Sequence, residues 1–256
     1  MERAAGRRRA TGGRGRRRVS VVQVLGEILL TLGVVVGLYV VWQIWINDAI
    51  SDADQSSTAE AQARQWAAEA PAPSPTSTAA APATPVVTAQ PKPMQVFANL
   101  IVPRFGKDFV RPIAEGTGYN VLSNSSLGMG HYVSTALPGE IGNFAIASHR
   151  TAYGGALHIM QRLRVGDHIF IETKDGWYQY SFRNIEYVHV SGVGVLDAVP
   201  QNPDATATQR ILTMTTCNPL YSSAERMIGY GVFDRFYPRS GGAPAEIAAT
   251  VARAEG

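Results

Sequence analysis

A chain of 256 residues holds one substantial domain of about 150 residues with accessory segments, and excludes two full-size domains. Its formal net charge is +3, but the first 18 residues carry eight arginines against one glutamate, or +7, which leaves −4 for everything after them. A single cysteine, Cys217, excludes an intrachain disulfide framework.

A basic arm taken alone fits nucleic-acid binding. The next segment argues against that partner. Ile28–Ile46 reads ILLTLGVVVGLYVVWQIWI, nineteen residues without a charge, and as a helix it spans about 28 Å, close to the hydrocarbon thickness of a bilayer. Trp42 and Trp45 lie near the far end, where amphipathic aromatics favour the interface, and Glu27 marks the near end. Arginines ahead of such a helix keep the N-terminus cytoplasmic and place the rest outside the cell membrane. A cleaved signal peptide is the alternative, but the apolar run exceeds the ~7–15 residues of a signal core. Arg17-Arg18 gives a faint twin-arginine pattern that the following residues do not continue.

From Asn47 to about Gln90 the chain is polar and then rich in Ala, Pro, Ser and Thr. Gln55–Ala70 has the composition of a short helix, and APAPSPTSTAAAPATP that of a proline-stiffened spacer. After Pro93, strand-like runs follow at short spacing: Phe97–Pro103, Phe109–Ala114, Asn143–Ser148, Asp167–Thr173, Trp177–Val190, Arg210–Thr216 and Arg226–Phe236. Lys174-Asp175-Gly176 reads as a hairpin turn, and Gly155–Arg164 as a helix carrying Leu157, Met160, Gln161 and Arg164. Seven or eight strands with one or two short helices predict an all-β fold, a closed or nearly closed barrel. No repeat, Walker loop, dinucleotide fingerprint or paired Cys/His metal spacing is present. The chain thus divides into a basic cytoplasmic tail (1–20), a transmembrane helix (21–46), a linker (47–93), a catalytic domain (94–240) and a C-terminal tail (241–256), to which no role is assigned.

The chemistry centres on ILTMTTCNPLYSSAERM, Ile211–Met227. The β-branched run through Thr216 delivers Cys217 at a strand end, and Asn218-Pro219 breaks the strand. If the run beginning at Arg226 returns antiparallel, Cys217 and Arg226 are cross-strand neighbours about 4.5–5.5 Å apart at Cβ. A guanidinium beside sulfur favours the thiolate and can donate to a developing oxyanion. A lone exported cysteine otherwise reads as a small buried hydrophobe, and an arginine opening a strand as the ion-pair partner of Glu225. Arg150 and Arg210 are rival guanidiniums. Thr216 is the candidate donor on the substrate side, through its amide or hydroxyl, with a half-buried strand threonine as the alternative. Tyr119, Tyr132 and Tyr153 line either a groove or the core. Five histidines compete for the proton-transfer role, and His149, which ends GNFAIAS as Cys217 ends ILTMTT, is the candidate over His131, His158, His168 and His189.

TMTTC at Thr213–Cys217, Arg226 nine positions on, and SHRT at Ser148–Thr151 resemble the signature of the sortases. LPGEIGN, NFAIASHRTAYGG, ILTMTTCNP and ERMI are similar to the class E sortases of high-GC Gram-positive actinobacteria, over about Gln95–Pro238. Ser148 stands where that family often has glycine, and Met214 where it often has leucine. The resemblance implies a sortase-type barrel and a membrane-anchored transpeptidase. Cys217 attacks the Thr–Gly carbonyl of an LAXTG- or LPXTG-type C-terminal sorting signal, His149 serves as acid and base, and Arg226 holds substrate and oxyanion. The implied partners are secreted proteins bearing sorting signals, a peptidoglycan precursor as amine acceptor, and the cell membrane; no cofactor or metal is required. Alternatives are a pilus-polymerising sortase, which the missing aromatic-plus-aspartate lid motif disfavours, and a tethered binding barrel with an inactive site. An L,D-transpeptidase-like enzyme is disfavoured because histidine and cysteine lie 68 positions apart.

Overall fold

The computed structural model describes residues 20–42, 46–70 and 83–256. Helix α1, Val21–Val41, buries none of its residues and, apart from Gln23, Glu27 and Thr31 along one side of its first half, is apolar. Its 21 residues extend about 31 Å, long enough to cross a bilayer. The basic tail, Trp45 and most of the proline-rich spacer lie outside the described residues.

A second unit begins with α2, Asn47–Glu69, where the linker was expected. The helix starts well before Gln55 and buries Ser51, Gln55, Ala59, Ala63 and Trp66, a stripe at spacings of four and three. Its hydrophobicity is low because the contact works by small side chains that let the helix lie close to its neighbour. Ala83 then bridges to Phe236, Thr88 N–H donates to Pro138 O (3.0 Å) and Tyr178 Oη–H donates to Val86 O (2.5 Å). Both described parts of the expected linker are therefore packed onto the domain.

Eight strands follow: β1 Val96–Ile101, β2 Val110–Glu115, β3 Met129–His131, β4 Gly142–Ser148, β5 His168–Thr173, β6 Gly176–His189, β7 Arg210–Asn218 and β8 Glu225–Pro238. They close into a barrel in the order β1-β2-β3-β4-β7-β8-β6-β5, as the spacing of strand-like runs predicted. The pairs β2–β3 and β4–β7 are parallel and the rest antiparallel. Alternation sorts the side chains into two cores. Leu100, Phe144, Ile146, Ile171, Tyr178, Leu212 and Met214 fill the interior, while Ile101, Val110, Phe170 and Trp177 face outward against Ala59 of α2 and against Ile247 and Val251. The last two belong to the C-terminal segment, which ends in a short helix, Ala248–Glu255, docked on this outer wall.

Residues 155–164 do not form the expected amphipathic α-helix; they are turns with one 3₁₀ turn at Met160–Arg162. Gly155 and Ala156 are buried there, and so are three larger side chains, Leu157, Met160 and Leu163. Their strict spacing of three puts them on one side of a 3₁₀ turn, not of a 3.6-residue helix.

Candidate active site

Three strands set the site. In the parallel pair β4–β7 the partners run from Gly142↔Arg210 to Ala147↔Thr215, a constant offset of 68. The same offset carried two residues past Ala147↔Thr215 sets His149, the residue after β4, opposite Cys217, and the two line one cleft. Across the next pair, Cys217 is the direct antiparallel partner of Arg226. His149, Cys217 and Arg226 therefore stand in one row over three adjacent strands spaced about 4.8 Å apart. The cross-strand pairing expected from the Asn218–Glu225 connection is present, with Asn218↔Glu225 as its last rung.

His149 and Cys217 open into a cleft of about 330 Å³, lined also by Arg150, Thr151, Tyr221, Ser222 and Ser223, with Arg226 beside Cys217 on the next strand. Cys217 is half-buried with a free thiol. Burial holds the His149 imidazole below its ordinary pKa, so the ring is neutral at pH 7. Ser123 Oγ lies 3.2 Å from its Nε2, and the Tyr153 ring stacks on it at 5.6 Å between centroids and 29° between planes. Ser123 follows a four-residue helical turn at Tyr119–Leu122. Arg226 Nη1–H donates to two main-chain oxygens, Ser223 O and Glu225 O, each at 3.0 Å, and has no carboxylate partner among the described residues. Its remaining donors are available to an oxyanion.

Of the two Thr216 donors considered, amide and hydroxyl, the hydroxyl is engaged inside the sheet. The side chain is buried and its hydroxyl donates to Ser148 O at 2.9 Å, which ties β7 to the end of β4 and aligns Cys217 with His149. That hydroxyl is committed and does not face a substrate. Arg150, weighed as a rival guanidinium, donates to Asn218 Oδ1 (2.5 Å) and Cys217 O (3.4 Å) from the histidine side, so it braces the nucleophile's backbone. Arg210 stays at the opposite end of β7, donating to Gly139 O at 2.8 Å.

The other histidines fall away from the row. His131 is fully buried, with Nδ1 2.7 Å from Glu115 Oε2, Nε2 3.0 Å from Thr135 Oγ1, and its ring stacked on Phe144. Both its nitrogens are used by the fold. His158 Nδ1 lies 2.9 Å from Gly155 O, His168 pairs with Glu246, and His189 is an exposed strand residue. Of the three tyrosines, Tyr153 covers the imidazole, Tyr132 bonds Thr215 Oγ1 at 3.0 Å, and Tyr119 is exposed beside Tyr153. Ser123 gave no signal in the sequence, because a serine in SNSS carries no spacing that points to β4. Among the described residues no group of three or more His, Cys, Asp or Glu is gathered as metal ligands would be.

The sortase-domain family profile matches residues 100–233. The chain is 32% identical over 250 residues to Sortase SrtE1 of Streptomyces coelicolor, an alignment covering 95% of this chain and 66% of that protein, so it spans just under two thirds of that relative. It is also 32% identical over 232 residues to Sortase SrtE2 of the same organism, covering 86% of this chain and 87% of the relative. Among solved structures, Sortase E1 from Streptomyces coelicolor with a tripeptide in the active site superposes with a TM-score of 0.55 at 36% identity, covering 60% of this chain and 98% of that one. The barrel, its row of residues and these similarities together make the chain a member of the sortase family of cysteine transpeptidases, within class E.

Proposed function

We propose that this chain is a membrane-anchored transpeptidase that cleaves an LAXTG- or LPXTG-type sorting signal between Thr and Gly and joins the new carboxyl end to an amine of a peptidoglycan precursor. The observation that carries this reading is that His149 and Cys217 line one cleft while Arg226 is the direct cross-strand partner of Cys217. A relative with a tripeptide in its active site supports a peptide substrate for the corresponding cleft here. The apolar α1, preceded by the arginine-rich tail, supports a single-pass anchor with the domain outside the cell.

The chemistry follows from the protonation state. Neutral His149 takes the proton of the Cys217 thiol as Sγ bonds to the threonine carbonyl carbon. Arg226 donates to the oxygen as it gains negative charge, a role for which its lack of a carboxylate partner leaves it free. The C–N bond breaks, the proton passes from His149 to the departing glycine nitrogen, and a thioester remains on Cys217. In the second half the acceptor amine attacks that carbonyl, His149 takes its proton and returns it to the departing sulfur. Covalent catalysis divides one amide exchange into two easier steps.

Mass spectrometry of the protein incubated with LAXTG and LPXTG peptides tests this. An acyl adduct on Cys217 that an added primary amine discharges is the expected result. A protein that forms no adduct with either peptide, while its thiol stays reactive to small alkylating agents, overturns the reading.

A further inference from the structure

The loop after His149 is bent in an unusual way. Ala152, Tyr153, Gly154 and Gly155 follow one another with φ of 70°, 49°, 77° and 43°. Two of these are not glycine, and L-residues leave the left-handed region unless their surroundings hold them there. Most of what holds them comes from the chain a hundred residues earlier. Gln55 of α2 donates from Nε2 to Tyr153 O at 2.6 Å, and Asp48 Oδ2 accepts from Ala152 N–H at 3.3 Å.

Gln55 is fully buried, in a slot that exists because two of its neighbours have no side chain. A Cβ on Gly128 would come within 2.2 Å of Gln55 Nε2, and one on Gly154 within 3.0 Å. The slot is thus bounded by the loop itself and by the turn entering β3, whose Gly128 O accepts from Ser148 Oγ at 2.9 Å. Gln55 Oε1 has no hydrogen-bond partner among the described residues. The side chain is therefore held through its donor alone, aimed at the carbonyl of the residue whose ring stacks on His149.

We propose that Gln55 is a positioning residue for the transpeptidase reaction: through the Tyr153 carbonyl, α2 holds the 150–155 loop in the conformation that sets the Tyr153 ring on His149 and Arg150 against Cys217. The proposal rests on the reading of His149 as the acid and base. It makes α2 part of the catalytic apparatus and not only a strut. The rest of the helix supplies the docking. Asp52 and Ser56 hold Arg111 of β2, Ala59 O accepts from Asn99 Nδ2 at 3.1 Å, and Ala59, Ala63 and Trp66 are buried. Loss of the Gln55 bond therefore leaves the helix attached. Methionine has nearly the shape of glutamine and gives up one hydrogen bond while removing a buried acceptor that has no partner, so its net effect on stability is small.

The test uses the full 256-residue chain in detergent and compares wild type, Gln55→Met and Asp48→Ala. Three things are measured: kcat and KM for an LAXTG peptide, Tm, and the His149 titration by NMR of its ring protons. Gln55→Met is expected to lower kcat about tenfold with KM little changed, since misplacement of a reacting group costs rate and not affinity. Its Tm stays within a few degrees, and the His149 titration moves up toward that of a free imidazole as the Tyr153 ring lifts away. The charged and titratable groups facing the loop, Asp48, Asp52, Arg150, His158, Tyr119, Tyr221 and Cys217, remain in the variant. Asp48→Ala loses the weaker contact and shows a smaller change of the same kind. Unchanged kcat with an unchanged His149 titration overturns the proposal, as does a kcat loss matched by an equal loss of folded protein. A wild type without turnover of either an LAXTG or an LPXTG peptide overturns the transpeptidase reading, and the NMR comparison then still decides the positioning role.

Discussion

Arg226 and Arg239 stand at the two ends of β8 and meet opposite surroundings. Arg239 is saturated: Nη2 pairs with Glu172 and Nη1 with Glu255, each at 2.8 Å, further donors reach Thr173 O and Lys174 O, and the guanidinium lies 4.5 Å from the centroid of the Trp177 ring. Arg226 meets only two carbonyls of its own loop, and its neighbours across the sheet are a free thiol and, one strand further, an imidazole. One end of the strand has spent its hydrogen-bonding capacity on joining the C-terminal helix to the barrel wall, and it contributes to stability. The other has kept capacity in reserve, and a substrate is what would use it. The two histidines repeat the contrast: His131 has both nitrogens engaged inside the barrel, and His149 faces the cleft.

The sharpest way to break this comparison is at the sulfur. Cys217→Ala is expected to abolish both the acyl adduct and transfer to an amine, with Tm close to wild type because a half-buried thiol adds little packing. Residual transfer above background would mean that another residue attacks. At the saturated end the expected loss is of fold. Arg239→Ala leaves Glu172 buried without its cation, and breaking a buried pair in this way costs about 3–5 kcal/mol. Chemical denaturation measures it, and the kcat of the protein that remains folded should be unchanged. A fall in kcat at full folding would join the two ends that the comparison separates.

Arg226→Lys probes the reserve itself. A lysine keeps the charge but not the planar fork, and losing an oxyanion donor lowers kcat by about 10²–10³. Little effect on Tm is expected, because the wild-type side chain bonds only exposed loop carbonyls. Wild-type kcat in this variant would remove Arg226 from the mechanism.

What was legible in the sequence follows the range of the forces involved. The β7–β8 pairing, and with it Cys217 opposite Arg226, rests on a short connection, and counting its residues is enough. The barrel was readable because most strands are long and separated by Gly and Pro, but β3, only three residues, was not. The parallel alignment of β4 with β7 has no local signal; two strands that each end in a reactive side chain only hint at it. Helix α2 was legible from Gln55 on, but its earlier start and its docking were not, because Ser51, Gln55, Ala59 and Ala63 are too small or polar to read as a buried face, and their fit is visible only against the surface they meet. The engagement of the Thr216 hydroxyl was hidden for a related reason: the carbonyl that claims it belongs to a residue 68 positions away.

The cleft end should also differ from the saturated end in its response to acid, an effect smaller than any substitution above. Burial holds His149 below its ordinary pKa, so the unfolded chain takes up this proton first as the pH falls through about 6.5. In that window the unfolded state binds more protons than the folded one, and stability rises with pH and falls with acidification until the folded imidazole is protonated as well. Buried Glu172 works with the opposite sign, since desolvation raises its pKa and its share of stability is lost as the pH rises, so a single melting curve mixes the two. The difference between wild type and His149→Gln isolates the histidine. Between pH 7.5 and 5.5 the wild type should lose more Tm than the variant, and the gap should stop widening once the folded imidazole titrates. Parallel curves would mean that His149 is as well solvated in the fold as out of it, and the cleft would then lack the partial desolvation that keeps its base neutral at pH 7.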